Sequence, residues 1–278
     1  MTAAGGADLH VHTTHSDGVC SPSEVVNAAA GVGLSAVAIT DHDTTSALAV
    51  ARPEAARLGV ELVPGVELTC GLEGREVHLL GYFFREDDPG LAAAMAGLRE
   101  GRDARMQAMA EELGRRGLSL DVAALRALFP RAVLGRRHAA EYLARTRQVP
   151  SVRDAFASHL GDGQPASIPK PRLDVLEAIR LVRSAGGVAG LAHPPYNLRL
   201  ETLRGLAEGG LAAIEAAGPG ITKRLGRRFR DWADLLGLVP TAGSDFHVPD
   251  RPGRWVGAVT TPLPDLERLR AASPSPGG

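Results

Sequence analysis

Asp8-Leu9-His10-Val11-His12 decides how this chain folds. Residues 9–11 have the apolar character of a short strand. Two histidines two positions apart on a strand project from one face, as a shared metal ion requires. Downstream, Ser21-Pro22-Ser23-Glu24 combines a capping box with proline at the first helical position, opening a helix over 24–32 that ends before Gly33. An apolar run at 36–39, an alanine-rich helix to Leu58, and strand candidates at 61–63 and 66–69 follow. Gly71-Leu72-Glu73-Gly74 reads as a hairpin turn into a strand over 77–84. Strands alternating with helices imply βα units, and so an α/β fold with a largely parallel sheet or barrel.

From about residue 91 to 159 the pattern is almost wholly helical, broken at Gly117, at 130–135 and at Pro150. A loop over 161–165, extended by Pro169 and Pro171, closes this block. The βα rhythm resumes with a helix over 174–185 and strand candidates at 188–192, 211–216 and 238–242. The expected organisation is a first barrel segment over 1–97, a helical insertion over 98–167, a second barrel segment over 168–270 and a disordered tail over 271–278.

The chain has 278 residues, 44% hydrophobic and 23% charged, with a formal net charge of −1. That balance argues against wholesale electrostatic binding to nucleic acid. Residues 99–147 nevertheless hold eleven arginines against six acids, and the planar guanidinium fork suits phosphate oxygens. Cys20 and Cys70 give no disulfide framework. No apolar run approaches membrane-spanning length and the N-terminus lacks a secretory pattern, so a cytoplasmic location is expected.

Further imidazoles and carboxylates recur at predicted strand ends: Asp17, Thr40-Asp41-His42, Gly65-Val66-Glu67, Val77-His78-Leu79, Ala192-His193-Pro194 and Gly243-Ser244-Asp245-Phe246-His247. In βα folds the C-terminal strand ends form the active-site face. Taken singly each is weak. Asp41-His42 could be a turn, His78 a core histidine, and His193 before Pro194-Pro195 part of a structural loop. Together, His10, His12, His42, His78, His193 and His247 with Asp17, Glu67 and Asp245 are too many ligands for one tetrahedral zinc and suit a multinuclear site. The absence of cysteine points to hydrolysis over structural zinc or redox chemistry.

These motifs resemble the PHP (polymerase and histidinol phosphatase) superfamily. They are most similar to its stand-alone phosphoesterases, which act on nucleoside 3′,5′-bisphosphates and 5′-phosphorylated RNA oligonucleotides. The resemblance implies a distorted (β/α)₇ barrel and two or three divalent ions. One would lie on His10, His12, Glu67 and Asp245, a second on Glu67, His78 and His193, and a third on Asp17, His42 and His247. Glu67, His193 and Asp245 would then be catalytic through a metal-bound hydroxide, with a nearby arginine on the phosphate. Manganese, iron and zinc all suit such donors. Where the subgroup has Gly-Arg-Pro-His, this chain has Gly135-Arg136-Arg137-His138, and Ser167-Ile168-Pro169 stands in place of Tyr-Val-Pro. Arg136 and His138 are the leading substrate-binding candidates, followed by Lys170 and Arg199, with His138 able to protonate the leaving oxygen. The expected partner is a phosphorylated small molecule or nucleotide, or a short 5′-phosphorylated RNA; no membrane is involved and no protein partner is inferable. The competing readings are a histidinol-phosphatase-like or other small-molecule monoesterase, and a non-catalytic metal-stabilised module. No serine-hydrolase or P-loop motif competes.

Overall fold

The computed structural model describes residues 5–249 and 253–274. They divide into two compact units, one over Met1–Met95 and Arg172–Gly278 and the other over Ala96–Pro171.

The first unit is built on one sheet. β1 (Ala7–Val11), β2 (Ala36–Ile39) and the start of β3 (Glu61–Leu72) are parallel, as are β6 (Val188–Leu191), β7 (Ala213–Ala217) and β8 (Val239–Ala242). Between the two parallel groups, β4 (Arg75–Tyr82) runs antiparallel to both β3 and β6, and the two-residue β5 (Leu173–Asp174) pairs with β3 off the main path. The main path therefore has seven strands in the order β1-β2-β3-β4-β6-β7-β8.

Bridges rather than a full ladder bring its two edges together. Val11 pairs with Phe246, His12 N–H donates to Phe246 O at 2.9 Å, and Ala7 exchanges backbone bonds with Thr261 at 3.0 and 2.7 Å. Asp8 completes the closure: its carboxylate accepts from Ser244 N–H (2.9 Å) and Gly257 N–H (2.8 Å). The barrel is nearly closed.

The local rules explain the elements. Ser21 caps α1 (Pro22–Gly31) in a reciprocal box with Glu24. Asp174 caps α7 (Val175–Ser184) by accepting from Leu176 and Glu177 N–H. Glu73 (φ 49°) and Gly74 (φ 77°) supply the two left-handed residues of the tight β3–β4 turn.

One expectation changes. The two strands predicted at 61–63 and 66–69 are one strand, because Pro64-Gly65 is a corner rather than a break. Residues before it pair with β2 and residues after it with β4. A Cβ on Gly65 would lie 2.7 Å from Ile39 O, so the corner needs glycine. The tail also shortens, since Ala271 ends α10 (Leu263–Ala271), held by buried Leu266 and Leu269, and Ala272 N–H returns to Arg268 O at 3.1 Å. Residues 275–278 lie outside the described residues.

α3 (Pro89–Gly114) carries the chain into the second unit. That unit is helical, with α4 (Val122–Leu128), α5 (Arg136–Arg145), α6 (Val152–Ala155) and a π turn at Phe156–Leu160. It has its own core, including Met106, Met109, Leu113, Leu125, Leu134 and Leu143.

Gly243 sets the approach of β8 to β1, because a Cβ there would meet His10 Cβ at 2.3 Å and His10 N at 2.6 Å. Gly243→Ala is expected to destabilise the protein by about 1–3 kcal/mol, since backbone lies on both sides of the overlap. Thermal melts of metal-free and metal-loaded protein check this, and an unchanged midpoint in both would refute the closure role.

Candidate metal centre

Each strand that feeds the site delivers its side chains to the same end of the barrel. His10 and His12 come from the end of β1 and the residue after it, His193 follows β6, and Asp245 and His247 follow β8. His78 sits in the first half of β4, which reaches this end because it runs against its neighbours. His42 is laid beside Glu67 by a parallel bridge after β2, with Glu67 N–H donating to Asp41 O (3.3 Å) and Asp43 N–H to Glu67 O (3.0 Å).

Glu67 is the centre. Only 1% exposed, it faces five imidazoles. Its Oε1 lies 2.9 Å from His78 Nδ1, 3.0 Å from His193 Nε2 and 3.4 Å from His10 Nε2. Its Oε2 lies 3.0 Å from His42 Nδ1 and 3.2 Å from His12 Nε2. Asp245 Oδ1 is 3.6 and 3.5 Å from His10 and His12 Nε2. Asp17 Oδ1 lies 3.2 Å from His247 Nε2 and 3.9 Å from both His42 Nε2 and His12 Nδ1. All nine side chains expected as ligands thus meet in one cluster. Three overlapping sets within it could each hold an ion: His12-Asp17-His42-His247, His10-His12-Glu67 and His42-Glu67-His78. Here His12 joins the set around Asp17, which the resemblance had given to three residues.

The donor chemistry fits divalent cations. Two donors each about 2.1 Å from one ion lie roughly 3–3.5 Å apart, which is the spacing around Glu67. Asp17 Oδ1, His42 Nδ1 and Glu67 Oε2 are buried without a hydrogen bond, a costly arrangement unless a cation completes it. Two of the candidate ligands also hold left-handed backbone, His193 at φ 25° and Asp245 at φ 47°, the local strain that functional sites retain.

Carboxylates that the sequence analysis gave no role hold the ligands in place. Asp41 pins the loop carrying Asp17 by accepting from Thr13 N–H (2.7 Å), Thr13 Oγ1 (2.6 Å) and Ser16 Oγ (2.5 Å). Glu215 on β7 lies 3.0 Å from His10 Nδ1 and accepts a short hydrogen bond from His193 N–H. Such partners fix tautomer and ring orientation. The signal for Glu215 was visible as a lone carboxylate within the apolar run 211–216. Arg254 reaches Asp245 Oδ2 at 3.4 Å.

The four substrate-contact candidates have different settings. His138 is buried, and its Nδ1 accepts from Gly135 N–H at 3.0 Å while its ring meets Phe129 edge-on. That ring nitrogen caps the helix, so of the two only Nε2 is left to carry a transferable proton. Arg136 is held by Leu160 O (3.2 Å), Asp162 Oδ1 (2.6 Å) and Ser167 Oγ (3.3 Å). Lys170, like these two, belongs to the second unit. Arg199, in the barrel unit, pairs with Glu73 at 2.9 Å.

The nearly closed barrel and its buried His/carboxylate cluster define a metal-dependent hydrolase. The family profile described as PHP domain matches residues 8–121. A 5′-3′ exoribonuclease of Haemophilus influenzae is 35% identical over 248 residues, 87% of this chain and 90% of that protein. A 3′,5′-nucleoside bisphosphate phosphatase of Chromobacterium violaceum is 34% identical over 277 residues, 94% of this chain and 93% of that one. A solved structure described as that of a metal-dependent phosphoesterase from Bifidobacterium adolescentis superposes with a TM-score of 0.90 at 29% identity, covering 99% of this chain and 98% of that one. The chain belongs to the PHP family and is a metal-dependent phosphoesterase. Among the described residues no helix is long and apolar enough to cross a membrane.

Two outcomes are expected. Glu67→Gln should lower bound metal, read by elemental analysis, and abolish most turnover, because one carboxylate faces donors of every set. Near-normal metal content and activity would remove Glu67 from its central place. Metal loading should also release protons. Burial alone would lower the His12 imidazole, but Asp245 and Glu67 outweigh it and push it up to about 10. Burial likewise works against His10, yet Glu67 and Glu215 hold it well above the usual range. Both imidazoles therefore hold their protons more tightly than a free ring does, and a ring nitrogen must give up its proton to ligate. Affinity should weaken as pH falls, and calorimetry in buffers of different ionisation enthalpy should show proton release; pH-independent binding without release would contradict it.

Proposed function

We propose that the chain hydrolyses the phosphate monoester of a nucleoside 3′,5′-bisphosphate or the 5′-terminal nucleotides of a short 5′-phosphorylated RNA, with two or three ions of manganese, iron or zinc. The observation that carries the reading is the Glu67-centred cluster, in a chain that aligns over nearly its full length with a bisphosphate phosphatase and a 5′-3′ exoribonuclease. Clustered divalent ions supply a nucleophile from water at neutral pH and neutralise charge on the phosphoryl oxygens. Water adds to phosphorus, the ester P–O bond breaks, and the alcohol leaves with a proton.

The chain's own residues position these events. Glu67, His193 and Asp245 gather the reacting centre. Glu215 holds His10 and the His193 backbone in register. Arg254, 33% exposed beside Asp245, is placed to meet a phosphoryl oxygen at the rim.

A second phosphate needs a second cation. A cleft of about 320 Å³ between the β3–β4 turn and the 195–202 segment is lined by Arg75, Glu76, Asn197, Arg199 and Thr202. It adjoins the cluster through Glu76, whose Oε1 is 3.1 Å from His78 Nε2. Arg199 is two-thirds exposed and among the described residues pairs with the half-exposed Glu73, an attachment a phosphate can displace at little cost.

A substrate panel tests the reading: manganese-loaded enzyme against nucleoside 3′,5′-bisphosphates, 5′-phosphorylated oligoribonucleotides, sugar phosphates and histidinol phosphate. Preference for the first two is expected, and preference for histidinol phosphate would transfer the assignment to the small-molecule reading. Arg199→Ala should raise KM for a bisphosphate about tenfold and leave a small chromogenic ester nearly unchanged, because only the larger substrate uses the anchor. Equal effects on both would place Arg199 outside substrate selection.

A further inference from the structure

The first half of α9 (Lys223–Leu236) carries charge in an arrangement that helix stability does not favour. Lys223, Arg224, Arg227, Arg228 and Arg230 crowd its first eight positions, while Asp231 and Asp234 lie in its second half. A helix macrodipole prefers the reverse, acids near the N-terminus and bases near the C-terminus; α9 has no acid in its first turn and no base in its last. Lys223, Arg224, Arg227 and Arg230 are exposed, and among the described residues none forms an ion pair. At about 100° per residue they spread around the helix, with Arg224 opposite the face that buries Gly226, Phe229 and Ala233 and with Lys223 and Arg230 on the flank of that face. Two acids against five bases leave α9 an excess of positive charge.

Its position gives the field a direction. α9 follows β7, which is parallel to β6 and β8, so its N-terminus emerges at the barrel end that carries His193 and Asp245. Arg228 ties the two places together. Its guanidinium lies 4.8 Å from the Trp232 ring centre and 5.2 Å from that of Phe229, and it donates to Tyr196 O at 2.7 Å. Tyr196 is three residues beyond His193 and is 76% exposed, the most exposed large hydrophobic side chain among the described residues. An exposed aromatic ring on a segment that Arg228 ties to a basic helix is a combination suited to single-stranded nucleic acid, the ring stacking a base and the cations following the phosphates.

We propose that Tyr196 and the basic face of α9 form the track for the 3′ portion of a single-stranded RNA whose 5′ end occupies the metal centre. This rests on the reading of 5′-phosphorylated RNA as a substrate. The track makes no contact with a mononucleotide, so it separates oligonucleotide from bisphosphate turnover.

The test compares wild type, the triple variant Lys223→Gln/Arg224→Gln/Arg227→Gln, and Tyr196→Ala, all manganese-loaded. Substrates are a 5′-phosphorylated oligoribonucleotide of about ten nucleotides and a nucleoside 3′,5′-bisphosphate. The triple variant should raise KM for the oligonucleotide about tenfold or more at 0.1 M salt and leave bisphosphate kinetics and the thermal midpoint unchanged. The slope of log binding against log salt should fall by roughly two, at about 0.7 per lost contact to a single strand. Tyr196→Ala should weaken oligonucleotide binding about tenfold with the salt slope intact, since stacking rather than charge is lost. Equal losses on both substrates, or none on the oligonucleotide, would overturn the track while the substrate reading stands. A wild type that turns over the bisphosphate but neither binds nor cleaves the oligonucleotide would overturn both the track and the RNA part of that reading. Binding of poly-glutamate as strong as that of the oligonucleotide, lost in the same variant, would mark a surface for acidic protein and overturn the track.

Discussion

One carboxylate surrounded by five imidazoles is the constraint on which this structure turns. A group as buried as Glu67 is ordinarily driven to its neutral form. Here burial is overcome by the facing histidines, His78 and His42 foremost and then His10, which hold it well below the usual carboxylate range. The same field sorts the histidines. His12 is pushed up to about 10, while burial takes His42 down to about 4 despite Glu67 and Asp17 beside it. Divalent ions held there would balance the acids with more charge than protons carry and would give the buried unpartnered atoms a partner.

The barrel's unusual features follow from assembling these donors. A uniformly parallel sheet would send only C-terminal strand ends to the site. Reversing β4 brings His78 in from the early half of a strand and lets one long β3 carry Glu67 past the point where it leaves β2. The corner at Pro64-Gly65 and the glycine contact between Gly243 and His10 permit backbones to approach within distances a side chain would forbid. Left-handed His193 and Asp245 turn their side chains back over the barrel mouth.

Much of this was legible because metal ligation needs specific side chains at strand ends, and the nine ligand candidates all fall in short motifs. The helix starts were equally plain, with Ser21 and Glu24 closing the expected box. What stayed hidden depends on long-range contact. Asp8 and Asp41 stood inside the quoted motifs, yet nothing local distinguishes a carboxylate that binds backbone N–H groups from one that binds metal. Asp8 shows the difference in three dimensions: burial raises its carboxyl to about 6 against hydrogen bonds from Ser244, Gly257 and His10 that lower it, and it faces peptides instead of imidazoles. His138 shows the same limit from the other side. Its motif suggested chemistry, but the i to i+3 reach back to Gly135 N–H makes its Nδ1 a cap, a role usually filled by serine or glutamate.

The division of charge across the molecule then separates reaction from recognition. Inside the cluster every charge has an opposite within 4 Å, so that site is indifferent to the size of what is attached to the phosphoryl group. On α9, by contrast, the cations stand in solvent against the helix dipole, and among the described residues Lys223, Arg224, Arg227 and Arg230 form no ion pair. An arrangement that neither packing nor the dipole favours is not explained by folding. Its cost to the helix is small, because exposed charges are screened within about 10 Å at 0.1 M salt. A polyanion laid along it gains from each phosphate in turn, with release of its counterions. With the proposed track, the buried centre would fix which bond is broken, and exposed surface outside it would discriminate how much chain follows that bond.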